Sequence, residues 1–546
     1  MERTRVLTQL PSFILQLVPI FLYAETHYRF RYFLSFLRKH EPEIIADAPH
    51  RLEPNSPLPI LILVKDAHLF PTKLNGINLT IRSEGSIVFE KKLLNSSIDI
   101  NQKLWWRVFD IPTTILAGSI ECDVVFELNY NGRKRFYHND NHRTSSHRPL
   151  KVFISSTTLP RFEHLYFGEC HSHSSYTDDQ VEFGSPLGAS VQLCRSFGLS
   201  FFCVTDHSYD LDDNVDNYLL NDPNVPKWQQ LRQEVDDLNS ILSDFMVIRG
   251  EEVTCRNSAD QNVHLLLLGN RKFFSGKGDG AEQWLKTRSE YAISEVLEEK
   301  ELSTLAYAAH PLEPVSYLQR MLLHRGKWHE RDIAIPKLSG IQFANGQLSN
   351  GFMEGYRYWI KELLQGKRLF ALAGNDAHGN FNRFRQIGIP FLKIYEMDYQ
   401  IFGKMRTGVF LDSLSEDNVL DSIRSGMSII TDGPVVNLRV VSSMHEMSSI
   451  GRNYLGMRHT VLLEVRSSTE YGSIDLLKVF KGNIGQKEED LISEKYLKSF
   501  DIDRKFSFET EYESYIRAEV WTSSMDSCDG QPHFCMTNPI WFKRES

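Results

Sequence analysis

A chain of 546 residues is longer than a single hydrophobic core usually serves, so its length favours two to four domains. The net charge of −9 excludes a general attraction to nucleic acid or to an anionic membrane surface, although a local basic pocket would still be allowed. Seven cysteines without any Cys-x-x-Cys pair argue against a disulfide framework, and we therefore expect a reducing, cytoplasmic location.

Residues 1–55 predict an N-terminal helical segment. Residues 10–22 are rich in apolar side chains and follow a short basic stretch, as in a signal peptide, but Pro11 and Pro19 interrupt the run and no small-x-small cleavage site follows. The run is also too short to span a bilayer. Aromatic and basic residues continue through 27–39, which is typical of a docked amphipathic helix, with membrane attachment as the less favoured alternative.

Residues 56–160 predict an antiparallel β domain. Residues 76–81 and 87–93 flank a Ser-Glu-Gly-Ser turn, which is a hairpin signal. Residues 120–128 and 133–137 flank Asn131-Gly132, a strong signal for a two-residue turn. No motif in this part of the sequence points to chemistry.

Residues 161–432 alternate between apolar runs and helical patterns. Six runs have the length and composition of buried strands, and they cover residues 199–204, 245–248, 263–268, 304–309, 340–344 and 369–373. Helical patterns at 289–300 and 352–365 separate some of them, and a last helix at 416–425 is bounded by Ser415 and Gly426. Repeated β–α units predict a parallel sheet or a closed barrel, with functional groups at the carboxyl ends of the strands.

Residues 433–546 return to an all-β pattern. The runs 460–465, 474–480, 506–510 and 516–522 have the composition of strands. The expected fold class is therefore α/β, with a central barrel flanked by N-terminal and C-terminal β-sandwich-like domains.

Histidines and carboxylates concentrate at the predicted strand ends. His171 and His173 are two residues apart, so an extended strand would point both imidazoles to one face, and Asp178 and Asp179 follow closely. Other strands end at His207, Glu251, Glu252, His310, Asp376 and His378. His264 stands near the start of its apolar run, which predicts a kink or a loop. A structural role is the better interpretation for any single histidine, but the ordered set favours ligation of zinc, manganese or iron.

Six motifs stand in order between residues 162 and 430. They are Gly168-x-x-His-Ser-His-Ser-x-x-Thr-Asp, Thr205-Asp-His, Gly250-Glu-Glu, His264, Ala309-His-Pro and Asn375-Asp-Ala-His. This series resembles the PHP (polymerase and histidinol phosphatase) superfamily of metal-dependent hydrolases, and the resemblance implies a distorted (β/α)7 barrel. The flanking β domains and residues 426–434 are similar to the CehA/McbA-type branch, which includes carbamate hydrolases.

The resemblance implies two or three divalent metal ions (Zn, Mn or Fe). The first would be held by His171, His173, Glu252 and Asp376, the second by Glu252, His264 and His310, and the third by Asp178, His207 and His378. Glu252, His310 and Asp376 would be the catalytic residues. Two assignments stay open, because Asp179 could replace Asp178 and a shift of one residue would exchange Glu251 for Glu252. Asp206 would orient a histidine.

The activity that the resemblance implies is hydrolysis by a metal-activated hydroxide. Attack on phosphorus would cleave a phosphomonoester or phosphodiester, which is our first expectation, whereas attack on a carbonyl carbon would cleave a carbamate, amide or ester. Arg256 and Arg383 follow motif residues and could bind a phosphate, although a surface role fits each as well. A non-catalytic binding protein on the same barrel is the alternative of another class. We expect a small phosphoester or carbamate-like substrate and no nucleic acid partner.

Overall fold

The computed structural model describes residues 39–142, 145, 147–177, 184–279, 287–383, 386–389, 392–395, 399–443 and 447–543. The predicted amphipathic helix falls on residues 1–38, outside this described part of the chain. Residues 43–52, which the prediction placed in the same helical segment, form two strands instead. The reason is that Ile44 and Ala46 face one hydrophobic core while Ile45 faces another, so this short stretch is buried on both sides.

Two sheets packed face to face make up residues 43–154. Their strands are β1 (Glu43–Asp47), β2 (Arg51–Leu52), β3 (Leu58–Lys65), β4 (Thr72–Ser83), β5 (Ser86–Lys92), β6 (Ile98–Ile100), β7 (Leu104–Ile111), β8 (Gly118–Tyr130), β9 (Arg133–His138) and β10 (Leu150–Ile154). One sheet has the order β1-β3-β7, and the other has the order β2-β10-β8-β4-β5, with β6 pairing with β4 and β9 with β8. Both predicted hairpins are confirmed, and Asn131 and Gly132 have the positive φ angles that their tight turn needs.

Helices and strands alternate through the central region. Its strands are β11 (Leu165–Ser172), β12 (Phe201–Val204), β13 (Asp213–Asn214), β14 (Asn217–Asn221), β15 (Met246–Arg256), β16 (Asn262–Leu268), β17 (Leu305–Ala309), β18 (Gly340–Asn345), β19 (Phe370–Gly374), β20 (Gln386–Ile389), β21 (Leu392–Tyr395), β22 (Arg406–Phe410) and β23 (Ser428–Thr431). Its α-helices are α1 (Leu187–Ser196), α2 (Ser208–Leu211), α3 (Pro226–Ile241), α4 (Ile293–Glu299), α5 (Tyr317–Leu322), α6 (Glu330–Ile333), α7 (Asn350–Leu364) and α8 (Glu416–Ser425). The predicted ends of α8 are confirmed: the Ser415 side chain accepts a hydrogen bond from the Asn418 N–H, and Gly426 has a left-handed φ of 73°. In the described part of the chain, no helix combines the length and apolar character needed to cross a membrane.

Seven strands of the central region form a continuous run in the order β11-β12-β15-β16-β17-β18-β19. The pairs at both ends of the run are parallel, as predicted, but β16 is antiparallel to β15 and to β17. The run curls until its two ends meet, because Ser172 and Ala377 form a parallel bridge and the His173 N–H donates to the Ala377 carbonyl at 2.8 Å. The residues that follow β11 and β19 are therefore brought together.

The C-terminal region is again built from strands. They are β24 (Val435–Val440), β25 (Asn453–Leu455), β26 (Arg458–Arg466), β27 (Ile474–Asn483), β28 (Asp490–Ser499), β29 (Asp501–Glu509), β30 (Ser514–Thr522), β31 (Phe534–Thr537) and β32 (Ile540–Lys543). β24, β26 and β29 form one sheet, which packs against strands that continue the central sheet through β23 and β31. The molecule is thus dominated by several β-sheets, with sandwich-like packing on both sides of the central region. The predicted domain boundaries stay a prediction.

Candidate metal centre

Glu252 lies at the centre of a cluster of buried and partly buried histidines. Its carboxylate oxygens lie within 3.5 Å of five imidazole rings, which belong to His171, His173, His207, His264 and His310. The shortest contacts join Oε1 to His264 Nδ1 at 2.6 Å and Oε2 to His207 Nδ1 at 2.9 Å. Burial would raise the pKa of Glu252, but His264 and His171 outweigh it and hold the pKa well below its usual value. The carboxylate is therefore ionised.

Asp376 supplies the second carboxylate. Its Oδ1 lies 3.1 Å from His173 Nε2 and 3.4 Å from His171 Nε2. Its Oδ2 lies 3.9 Å from His310 Nε2 and accepts a hydrogen bond of 2.8 Å from Gln400 Nε2. The backbone of Asp376 has a φ of 51°, a region that non-glycine residues rarely adopt, so the surrounding contacts must hold it there.

His378 joins His173 and His207 in a third group. The His378 and His173 rings are stacked, with centroids 4.4 Å apart and planes 6° apart, and the His207 ring centroid lies 4.2 Å from that of His173. Asp178, the carboxylate expected for this group, lies outside the described residues, and so does its alternative Asp179. The choice between them stays a prediction.

The paired strands β15 and β16 place Glu252 and His264 on one face. In their antiparallel register Thr254 lies opposite His264, and residues two apart on a strand share a face, so Glu252 points to the same side as His264. The predicted kink or loop at His264 is therefore wrong. The residue lies inside a fully buried strand, and β15 is longer than predicted because its second half pairs with β16.

Glu251 points away from the histidines. Its Oε1 accepts hydrogen bonds from Asn270 Nδ2 at 2.8 Å and from the Phe274 N–H at 3.2 Å, and its Oε2 accepts one from Ser208 Oγ at 3.4 Å. Burial raises the pKa of Glu251 well above its usual value. The structure therefore places Glu252, and not Glu251, in the cluster.

Two further buried carboxylates hold the backbone around the cluster. Glu169 accepts hydrogen bonds of 2.9 Å from the backbone N–H groups of both His171 and Asn375, which ties β11 to the residue before Asp376. Burial raises the pKa of Glu169 to about 7. No motif in the sequence pointed to Glu169, although a carboxylate inside an apolar strand indicates a buried structural role.

The sequence predicts that Asp206 orients a histidine, but its side chain bonds to the loop after β11. Its carboxylate accepts hydrogen bonds from the N–H and Oγ of Ser174, both at 2.7 Å, and from the N–H and Oγ1 of Thr177. These bonds fix the chain immediately after His173. Asp206 therefore holds the backbone between Ser174 and Thr177, the residue directly before Asp178 in the sequence.

The two predicted substrate-binding arginines are engaged elsewhere. Arg256 lies within 4 Å of Asp260 and Glu295 and donates to the Glu290 carbonyl. Arg383 is buried, and its guanidinium donates to the carbonyl of Ala46 in β1 and to that of Arg148, just before β10. The contacts of Arg383 fix the central region to the N-terminal sheets, which corrects the expectation of a phosphate-binding side chain in a loop.

The donor set fits divalent cations. Nε2 of His171, Nδ1 of His173 and Oε2 of Glu252 are buried without a hydrogen bond of normal geometry. In three groups the potential ligand atoms lie within 4.8 Å of one another, and these are His171–His173–Glu252–Asp376, His207–Glu252–His264 and His173–His207–His378. Imidazole nitrogens and carboxylate oxygens at this spacing are the donors that zinc, manganese and iron bind.

Comparison with known proteins does not identify a family. No family model and no curated protein matches the sequence. Among solved structures, the chain is similar to a Bacteroides fragilis protein described as a β-galactosidase (11% identity over 92% of this chain and 74% of that chain, TM-score 0.19). It is also similar to the β-glucuronidase of Parabacteroides merdae (8%, 92% and 64%, TM-score 0.20) and to β-glucuronidase 3 of Bacteroides uniformis (10%, 92% and 64%, TM-score 0.18). The chain spans less than two thirds of both β-glucuronidases, and TM-scores this low carry no argument about its fold or activity.

Proposed function

We propose that the protein is a metal-dependent hydrolase of the PHP type, and that it cleaves phosphoesters. The observation that carries this proposal is the convergence of five histidines on the ionised carboxylate of Glu252, three of which also lie within 4 Å of Asp376. The seven-strand run whose ends meet beside Ser172 supports a PHP-like barrel, since it brings together residues that are about 200 positions apart in the chain.

The ligand sets of the proposal are those that the resemblance implies. His171, His173, Glu252 and Asp376 would hold one cation, and Glu252 would share a second with His264 and His310. His207 and His378 would contribute to a third, with Asp178. The structure supports the first set, whose potential ligand atoms lie within 4.8 Å of one another, whereas it groups His207 with Glu252 and His264, and His310 contacts Glu252 at 3.3 Å. When bound, such cations supply a hydroxide at neutral pH and stabilise negative charge on substrate oxygens.

Asp376 and His310 lie where the cluster is open to solvent. Their side chains are 15% and 16% exposed, whereas that of Glu252 is fully buried. Gln400 orients Oδ2 of Asp376, which is therefore placed to accept a proton from an attacking water. The fully buried Glu252 carboxylate holds five imidazoles in position.

Charge favours a phosphoester over a neutral carbamate. Because Arg256 and Arg383 are engaged elsewhere, we assign the positive charge that attracts an anionic substrate to the cations themselves. Two carboxylates in the described cluster balance only one divalent cation, so two or three cations leave a net positive site. Such a site attracts the oxygens of a phosphate ester. We accordingly propose a small phosphoester as substrate. The seven cysteines without a Cys-x-x-Cys pair lead us to propose a location in the cytoplasm.

Turnover by the purified full-length protein tests the proposal. The protein is reconstituted with Mn²⁺ or Zn²⁺ and supplied with an aryl phosphomonoester, an aryl phosphodiester and an aryl methylcarbamate side by side, each with a chelated control. Cleavage of either phosphate ester that disappears with chelator is the expected result. Cleavage of the carbamate alone would contradict a phosphoester substrate and favour a carbamate, amide or ester. No cleavage together with no bound metal would favour a non-catalytic binding protein.

A further inference from the structure

Gln342 links two of the histidines from a neighbouring strand. It lies in β18, it is fully buried, and its Oε1 accepts a hydrogen bond of 2.9 Å from the backbone N–H of His310. The same oxygen lies 3.4 Å from Nδ1 of His171. One side-chain oxygen therefore contacts residues of β11 and of the turn after β17.

The orientation of the Gln342 amide follows from its partners. Nε2 donates to the Ala344 carbonyl and to Asn345 Oδ1, both at 3.1 Å. A backbone carbonyl can only accept and a backbone N–H can only donate, so the amide nitrogen must face Ala344 and the oxygen must face His310. A flipped amide would lose both backbone contacts.

This orientation determines the tautomer of His171. Because Gln342 Oε1 can only accept, the proton of a neutral His171 ring must reside on Nδ1, and Nε2 keeps its lone pair. That Nε2 lies 3.3 Å from Glu252 Oε1 and 3.4 Å from Asp376 Oδ1, at the centre of the candidate site.

The same glutamine oxygen supports the turn at His310. This residue has a φ of 27°, which a side-chain-bearing residue adopts only when its surroundings hold it there. Its ring Nε2 lies 3.3 Å from Glu252 Oε1. A shift of the turn would therefore move the His310 ring away from the position that faces Glu252.

We propose that Gln342 is a positioning residue of the metal centre, which fixes the tautomer of His171 and the backbone of His310 together. The inference rests on the proposed metal-dependent function. Gln342 has no ionisable group, and its hydrogen bonds do not include Glu252 or Asp376. Partners of this kind around ligating histidines typically change metal affinity by about 10–100-fold when they are lost.

The test measures Zn²⁺ affinity by competition with a chromophoric chelator, on full-length wild type and on Gln342→Leu and Gln342→Glu. We expect Gln342→Leu to bind Zn²⁺ at least about 10-fold more weakly. Gln342→Glu keeps an accepting oxygen and, when protonated, a donor, so it should recover most of that loss. The visible absorption of bound Co²⁺ should change in Gln342→Leu and return toward wild type in Gln342→Glu, which a general loss of stability would not produce.

Asn538→Leu is a matched control for loss of a buried amide. Asn538 Oδ1 accepts from the Ala371 N–H at 2.8 Å, and its Nδ2 donates to the Ala371 carbonyl at 3.1 Å, at the opposite end of β19 from Asp376. This variant should be destabilised while its Zn²⁺ affinity stays that of wild type. Equal affinity of Gln342→Leu and wild type would overturn the role of Gln342 and leave the proposed function intact, whereas a wild type without Zn²⁺ affinity would overturn both.

Discussion

The buried carboxylate of Glu252 is the residue on which the candidate site depends most. It contacts five imidazoles, and its ionised state is maintained by His264 and His171 against the effect of burial. We predict that Glu252→Gln lowers kcat/KM by about 100-fold, because a neutral amide binds a cation much more weakly than a carboxylate and places a donor among the ring nitrogens. Steady-state kinetics with Mn²⁺ or Zn²⁺, together with a circular dichroism melt to show that the fold persists, measure this effect.

The neighbouring Glu251→Gln is the control for this substitution. It alters a carboxylate of equal burial on the same strand, but one that bonds Asn270 and Phe274 instead of histidines. Activity close to wild type is expected there. Equal losses in both variants would mean that strand β15, and not the Glu252 carboxylate, accounts for the effect.

For individual residues, the sequence predicted which histidines and carboxylates would lie together, but not the glutamines that hydrogen-bond to them. The spacing of His171 and His173 and the order of the motifs were sufficient to bring both carboxylates and six histidines into one hypothesis. Gln342 and Gln400 were not predicted, because an amide has no motif spacing of its own in a single sequence. A polar residue inside the buried strand Gly340–Asn345 was the available signal for Gln342.

At the scale of elements, close contact between β19 and β11 brings Asp376 to the histidines. A Cβ atom on Gly374 would lie 2.5 Å from His171 Cβ and 2.8 Å from His171 N. We predict that Gly374→Ala forces the two strands apart, destabilises the protein by about 1–3 kcal/mol and lowers turnover, because Asp376 follows two residues later. Urea unfolding and the phosphoester assay measure the two effects.

Gly76→Ala is the matched control on another strand. In β4 the added Cβ would meet nothing closer than Glu127 Cβ at 3.8 Å, which is an ordinary contact. This variant should keep the stability and activity of wild type. If Gly374→Ala behaved in the same way, close packing of β19 on β11 would not be needed for the site.

The ends of helices and strands were predicted well where they depend on local sequence, and poorly where they depend on pairing with other strands. Ser415 and Gly426 bound helix α8 as predicted, since capping and left-handed backbone are local properties. The length of β15 and the direction of β16 were missed, because pairing of β15 first with β12 and then with β16 depends on the whole sheet. The strands at 43–52 were missed for the same reason.

At the scale of the whole molecule, the terminal regions are tied to the centre and to each other. Arg51 of β2 makes a buried two-point ion pair with Glu470 near the start of β27, with both contacts at 2.8 Å. Arg383 bonds the central region to β1 and to the chain before β10. The sheet continuity through β23 and β31 could not be predicted, because it joins strands about 100 residues apart.

His533 links the turn after β23 to the C-terminal sheets and should make stability depend on pH. Its Nδ1 lies 3.3 Å from Asp432 Oδ2 and its Nε2 lies 3.2 Å from Asp529 Oδ1. Burial would lower the pKa of His533, but the hydrogen bonds with the two aspartates outweigh it and raise the pKa to about 9. The folded pKa exceeds the ordinary 6.5, so this stabilisation is fully present below about pH 6.5 and is lost as pH rises through about 9.

We predict that His533→Gln lowers the free energy of unfolding by on the order of 1–3 kcal/mol at pH 6 and by much less at pH 10. Screening at Asp529, which is more than half exposed, favours the lower part of that range. Urea unfolding of both proteins at the two pH values gives the comparison. A gap of the same size at pH 6 and pH 10 would show that the ring contributes by packing and not by its charge.

The number of divalent ions that each chain retains tests directly whether a metal centre is built around Glu252. Full-length wild type and Glu252→Gln are loaded with Zn²⁺, dialysed extensively and analysed by elemental analysis, with Glu251→Gln as the control. We expect two or three ions per chain in wild type and in Glu251→Gln, and a clear loss in Glu252→Gln. Retention of no zinc by wild type, or the same content in all three proteins, would contradict a metal centre built around Glu252.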